Sequence, residues 1–215
     1  MRITMAMAAL AACALAQDPR VPVENDKVKV LKVTQNPHTK TKLHKHDINR
    51  VMIYLNPGKQ TIAYQGKTVN LNWKAGEALW SAAAGMHIAE ITSNDAVTIV
   101  EVELKKAGAK TPAKYPALDP VNIDPKHYKV EMENDQVRVV RVKIGPKEKV
   151  PMHEHGLDRV VVYLTDQDFK ITAPDGKVSP AVHKAGDVSW GTPNKHAEEN
   201  ASGKPFEILV VEVKG

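Results

Sequence analysis

Along most of this chain apolar and polar residues alternate with a period of two. "KVKVLKV" (27–33), "RVMIYL" (50–55), "VTIVEVEL" (97–104), "RVVRVKI" (138–144), "RVVVYL" (159–164) and "FEILVVEV" (206–213) are β-branched runs of strand length. Turn signals such as "NPGK" (56–59) and "APDGK" (173–177) separate them. No stretch beyond the first twenty residues carries a capped helical stripe. Many short strands at regular spacing predict an all-β sandwich or barrel.

The strands come in two matching sets. A shift of 109 places lays "VENDKVKVLKV" (23–33) on "MENDQVRVVRV" (132–142), and "LHKHDINRVMIYL" (43–55) on "MHEHGLDRVVVYL" (152–164). Fourteen of the thirty-three positions from 23 to 55 recur without a gap, so the domain is duplicated. The match goes on with Trp80 on Trp190, now offset by 110, and returns to 109 for His87 on His196. Boundaries follow: a leader at 1–16, one domain at 21–106, a linker at 107–126 rich in Pro, Ala and Lys, and a second domain at 127–215. "VEND" and "MEND" read as turns into the first strands.

The leader begins with Arg2, runs apolar from Ile3 to Ala16 and exits through Ala14-Leu15-Ala16, the pattern of a secretory signal peptide. Export to the periplasm or the exterior is the expectation. Leu10-Ala11-Ala12-Cys13 offers an alternative, a lipoprotein signal with a lipid anchor on Cys13. The run is too short to span a bilayer comfortably, and no other segment is long enough. Cys13 is the only cysteine, so cleavage after Ala16 leaves no thiol for disulfides, metal ligation or nucleophilic attack. The net charge of +5 falls to +4 when Arg2 is removed, and the remaining lysines are scattered without a basic block. No nucleic-acid partner is expected.

Residues two apart on a strand share a face, so His44 projects with His46 and His153 with His155. His87 and His196 are the third imidazoles of two matched sets, which can hold a metal ion. The same parity puts Arg50 with Tyr54, and Arg159 with Tyr163, on those faces. Trp80 and Trp190 join them as candidate substrate contacts, or serve only as packing. There is no Ser-His-Asp order, phosphate-cradling glycine loop or paired catalytic carboxylates, and no catalytic residue is assigned.

Each half resembles a cupin domain, a family whose first motif is His-x-His, three or four residues, then Glu, and whose second runs from a Gly-Asp-like turn through a Pro-Gly turn to His and Asn. In the second half His153, His155, Gly186, Asp187, Pro193, His196 and Asn200 match. The first half keeps His44, His46, Gly76 and His87 but lacks the proline. The resemblance implies a double-stranded β-helix, or jelly-roll barrel, in each half, hence a bicupin, and the family habit adds a homodimer.

Where the family has its ligand glutamate, this chain has Arg50 and Arg159. A guanidinium has no lone pair to give a metal and repels a cation nearby. Two solutions follow. In one, three histidines hold Fe, Mn, Zn or Cu, the arginine turns to an anionic substrate, and the resemblance to three-histidine dioxygenases implies oxygen-dependent chemistry on a small anionic molecule. In the other, the barrels are metal-free and bind a small anion through arginine without catalysis. A purely internal role would pair the arginines with Glu77 and Asp187, or with Glu90 and Glu199. Glu90 and Glu199 could instead supply a replacement carboxylate ligand, but strand parity puts them opposite His87 and His196, so only a bulge would permit it.

Overall fold

The structure, a computed structural model, describes residues 20–215; the expected leader and Cys13 lie outside them. The first half has nine strands: β1 (Arg20–Glu24), β2 (Val28–Gln35), β3 (His44–His46), β4 (Arg50–Tyr54), β5 (Gly58–Tyr64), β6 (Lys67–Trp73), β7 (Glu77–Ser81), β8 (Ala84–Ile91) and β9 (Val97–Leu104). One helical turn, α1 (Pro120–Ile123), interrupts the connection. The second half repeats the set: β10 (Tyr128–Glu133), β11 (Val137–Ile144), β12 (Lys149–His155), β13 (Arg159–Tyr163), β14 (Gln167–Thr172), β15 (Val178–His183), β16 (Val188–Gly191), β17 (Asn194–Asn200) and β18 (Phe206–Val213). No helix among the described residues is long and apolar enough to cross a membrane.

Each half is a jelly roll of two antiparallel sheets. The five-stranded sheets run β1-β2-β9-β4-β7 and β10-β11-β18-β13-β16; the four-stranded sheets run β3-β8-β5-β6 and β12-β17-β14-β15. Asn25 and Asn134 make the predicted turns: each side-chain carbonyl accepts two backbone N–H groups, from Lys27 and Val28, and from Gln136 and Val137, at 2.9–3.0 Å.

The inner strands of the two five-stranded sheets, β4, β9, β11, β13 and β18, are largely buried on both faces, while the edge strands β1 and β10 are mostly exposed. Val28, Val30, Val51, Ile53, Val100 and Val102 of the first half form one apolar cluster with Val137, Val139, Val160, Val162, Leu209 and Val211 of the second. The halves therefore sit back to back, and each such side chain contributes about 1.5–3 kcal/mol by leaving water. The polar rim has pseudo-two-fold symmetry. Lys32 Nζ donates to Gly186 O and Arg141 Nη2 to Gly76 O, both at 2.6 Å. Lys27 pairs with Asp158 at 3.0 Å, and its counterpart Gln136 accepts from Asn49 at 2.6 Å. Gly76 and Gly186 have φ of +76° and +83°, and a Cβ on Gly186 would stand 2.8 Å from Lys32 Nζ. Glycine thus satisfies both the left-handed backbone and the close approach.

The connecting segment lacks periodicity yet is firmly held. Asp119 caps α1 through Val121 N at 3.1 Å and takes Arg138 Nη2 at 2.6 Å, while the Tyr115 ring lies 3.6 Å from the same guanidinium. Leu118 O accepts from Glu154 N of β12 at 2.9 Å, so the segment runs beside the second histidine pair.

Two measurements check this arrangement. Leu209→Ala, at a fully buried site in the shared cluster, is expected to cost about 2–5 kcal/mol by denaturant titration, with both halves still unfolding together. Glu148 accepts from Lys126, from His127 at 3.0 Å and from Gly145 N at 2.7 Å, and these bonds hold its carboxyl down at about 2. Its stabilisation is present above the ordinary carboxylate range and fades as pH falls toward 2. The stability gap between wild type and Glu148→Gln should therefore shrink below about pH 4.5, as followed by thermal melts.

Candidate metal centres

Alternation along β4 sends Val51 and Ile53 into the shared cluster and turns Arg50, Met52 and Tyr54 into the first barrel. On the facing sheet, β3 lies beside β8 with His44 directly opposite His87. Potential ligand atoms of His44, His46 and His87 all come within 4.8 Å of one another. His44 and His87 each donate Nδ1–H to a carbonyl two residues back, Lys42 O and Gly85 O, at 2.8 Å, which leaves each Nε2 as a bare lone pair. His46 Nε2 accepts from Arg50 Nη1 at 2.8 Å. Burial, then the Arg50 charge, lowers His46 to about 4, so its imidazole is neutral at neutral pH.

Arg50 is 6% exposed and neutralised inside the barrel by a residue the sequence did not single out. Its Nη1 bonds Glu101 of β9 at 2.9 Å and its Nη2 bonds Ser81 at 2.9 Å, while Nε is buried without a partner among the described residues. Burial raises the Glu101 carboxyl against the opposing pull of Arg50. None of the four acids suggested by sequence serves either arginine: Glu90 pairs with Lys40, Glu199 with Lys149, and Glu77 and Asp187 cap the turns at Lys74 and Lys184.

The second set is fully buried. His153, His155 and His196 are 0%, 4% and 5% exposed and again lie within 4.8 Å of one another. His153 donates Nδ1–H to Pro151 O at 3.0 Å, so its Nε2 is the acceptor in the 3.1 Å contact with His155 Nε2. His155 Nδ1 is then bare, buried and unpartnered, 3.9 Å from Glu212 Oε1. Burial, with Arg159 and the other two imidazoles, takes His155 down to about 2. His196 Nε2–H donates to Glu198 Oε1 at 2.8 Å, and burial raises Glu198 less than this bond and the histidines lower it. Among the described residues Arg159 meets no carboxylate; it donates to Thr192 O and Asn194 Oδ1, both at 2.7 Å.

Both donor sets fit a divalent cation. The first has two preset Nε2 lone pairs and a third imidazole that Arg50 can release to its partner Glu101. In the second, a cation on the Nε2 side would move the His155 proton to Nδ1, facing Glu212, and would also have to take the place of the His196 Nε2 proton that Glu198 now holds.

No family model and no curated protein matches this sequence. Solved structures do. AerE from Microcystis aeruginosa superposes with a TM-score of 0.64 at 10% identity, over 92% of this chain and 98% of that one. A cupin 2 conserved barrel domain protein from Leptotrichia buccalis gives 0.58 at 17% identity, over 94% and 90%. Bacillus subtilis oxalate decarboxylase, in a structure concerned with its Mn(II) centres, gives 0.60 at 13% identity, over 91% and 75%. The fold is that of a bicupin.

The two barrels differ most in their interiors. The first encloses a cavity of about 390 Å³ that the triad, Arg50 and Glu101 border, with Gln35, Thr41, Gln60 and Tyr64 among its walls. The second encloses about 140 Å³. The repeat aligns Gln35 with Ile144, Thr41 with Val150, Gln60 with Phe169 and Val97 with Phe206, so larger and more apolar side chains fill the second barrel. Tyr128 completes that filling; it is 2% exposed, with its hydroxyl 3.5 Å from His153 Nε2.

The remaining predicted site residues take mixed positions. Tyr54 is buried against Trp73 with ring centroids 4.1 Å apart, and burial, then Glu101, raises its phenol to about 12. Tyr163 stacks on His183 at 3.9 Å and shares a hydrogen bond with Ser189 at 3.2 Å. Trp80 and Trp190 pack against the shared cluster between the barrels, and Trp80 also borders the first cavity. Asn200 closes a loop through Gly145 O and Lys204 O, at 2.9 and 2.8 Å.

Arg50→Met strands the Glu101 carboxylate and is expected to cost about 3 kcal/mol at neutral pH. The double variant Arg50→Met, Glu101→Gln should recover most of that loss in the same denaturant titration, a non-additivity that a distant pair would not show.

Proposed function

We propose that this bicupin is an exported metal-binding protein whose first barrel is the reactive one. His44, His46 and His87 hold a divalent cation there, and the adjoining cavity admits a small organic anion. One observation carries the reading: the first barrel alone combines an accessible triad, a buried arginine and a cavity of about 390 Å³, within the usual range of ligand pockets. The Mn(II) centres named for Bacillus subtilis oxalate decarboxylase, a protein of the same fold, support a divalent ion. Iron, manganese, zinc and copper all suit three imidazoles.

The chain's own groups have definable tasks. Arg50 orients an anionic group beside the triad, a reading supported by its buried Nε, which has no partner among the described residues. Glu101 offsets the guanidinium charge so that a cation can be tolerated nearby. The raised phenol of Tyr54 stays protonated. The apolar walls, among them Ile62, Leu71 and Ile99, keep bulk water from the site. When bound, the ion supplies Lewis-acid activation and, if it is iron, manganese or copper, electron transfer to oxygen, which makes a metal-dependent oxygenase the reaction class proposed. The second barrel, with little free space and a carboxylate on His196, is a closed site that stabilises the fold. Export rests on the leader pattern ending at Ala16.

The test is elemental analysis of native protein purified without chelator. Two equivalents of metal per chain are expected, falling to about one in His87→Ala and in His153→Ala, with oxygen uptake on small carboxylates lost only in His87→Ala. The preparation should begin at Gln17. Absence of metal even after reconstitution with Fe(II), Mn(II), Zn(II) and Cu(II) would favour the metal-free anion binder.

A further inference from the structure

A further cavity lies between the barrels. It measures about 510 Å³, is bordered by Arg20, Lys32, Thr34, Thr98 and the Ala185-Gly186 turn, and shares no residue with either histidine cavity. Arg20 and Lys32 are directly paired across β1 and β2. Like charges in that position repel, and neither has an ion pair among the described residues. Lys32 Nζ is anchored at 2.6 Å to Gly186 O, and the Thr34 and Thr98 hydroxyls stand 3.1 Å apart beside it.

The pseudo-symmetry shows what is missing. A shift of 109 carries Arg20, Pro22, Lys32, Thr34 and Thr98 onto Lys129, Glu131, Arg141, Lys143 and Glu207. Lys129 and Arg141 are likewise paired across strands, but there Arg141 binds both Glu131 and Glu207, and Lys143 pairs with Glu207 at 3.3 Å. That copy is closed by its own carboxylates. In the first half the two acids are replaced by Pro22 and Thr98, the two cations remain, and the cleft is open.

We propose that the open cleft binds a small oxyanion carrying at least two negative charges, whose oxygens take the places that Glu131 and Glu207 fill on the other side. Arg20 offers a planar fork suited to phosphate or carboxylate, Lys32 a point charge, and the two threonines hydroxyl donors. A phosphate ester and a di- or tricarboxylate share this chemistry.

Calorimetric titration of the full chain at low salt with pyrophosphate and, separately, with citrate tests it. Saturable binding of one equivalent is expected, with the tighter probe identifying phosphate or carboxylate as the source. Lys32→Gln should raise Kd at least tenfold. Thr98→Glu, which restores the acid of the closed copy, should abolish binding with an unchanged or higher melting temperature and unchanged metal content. Lys170→Gln, on the outer sheet, should bind as wild type does. No saturable binding of either probe, an unchanged Kd in Lys32→Gln, or an equal loss in Lys170→Gln would overturn the proposal.

Discussion

The apolar contact between the two five-stranded sheets is what the other features depend on. Each sheet exposes a valine-rich face that no strand of its own barrel can cover, and only the other half buries it. That packing fixes the outer face of β4 and β13, and strand alternation then determines the inner one. Arg50 and Arg159 point into their barrels because Val51 and Val160 must point out. The positions of the arginines beside the histidines thus follow from a hydrophobic requirement several ångströms away.

Given an inward guanidinium, the barrels neutralise or satisfy it in different ways. The first brings Glu101 from β9, opposite its histidine sheet, and leaves the triad with polar surroundings and free space. The second satisfies Arg159 with neutral oxygens and places an inward acid, Glu198, on His196. Phe169, Phe206 and Tyr128 take up the remaining room. The same strand plan therefore supports one accessible centre and one sealed centre, and the difference lies in a handful of inward positions.

The jelly-roll plan and both histidine sets were legible in the sequence because they depend on a period of two and on a repeat, which are visible without coordinates. Glu198 is within reach of the same logic, since it stands two residues from His196 on one strand. Glu101 was not legible, because its approach to Arg50 depends on β9 lying beside β4 rather than on any local spacing. The connecting segment was hidden for a related reason. It has no periodic pattern, and what holds it is a few side chains converging on Arg138.

Joining the two barrels in one polypeptide changes what substitutions can do. In a symmetric pair of separate chains every substitution is made twice, so opening one cleft, emptying one barrel or removing one acid would do the same to its mate. Here each is made once. Pro22 and Thr98 unlock one side while Glu131 and Glu207 hold the other, and the shared valine core stays whole. The covalent tether also makes the pairing of the halves independent of protein concentration. Duplication with fusion thus supplies a stable partner that need not remain identical, and one copy can carry the stability that the other gives up for open space.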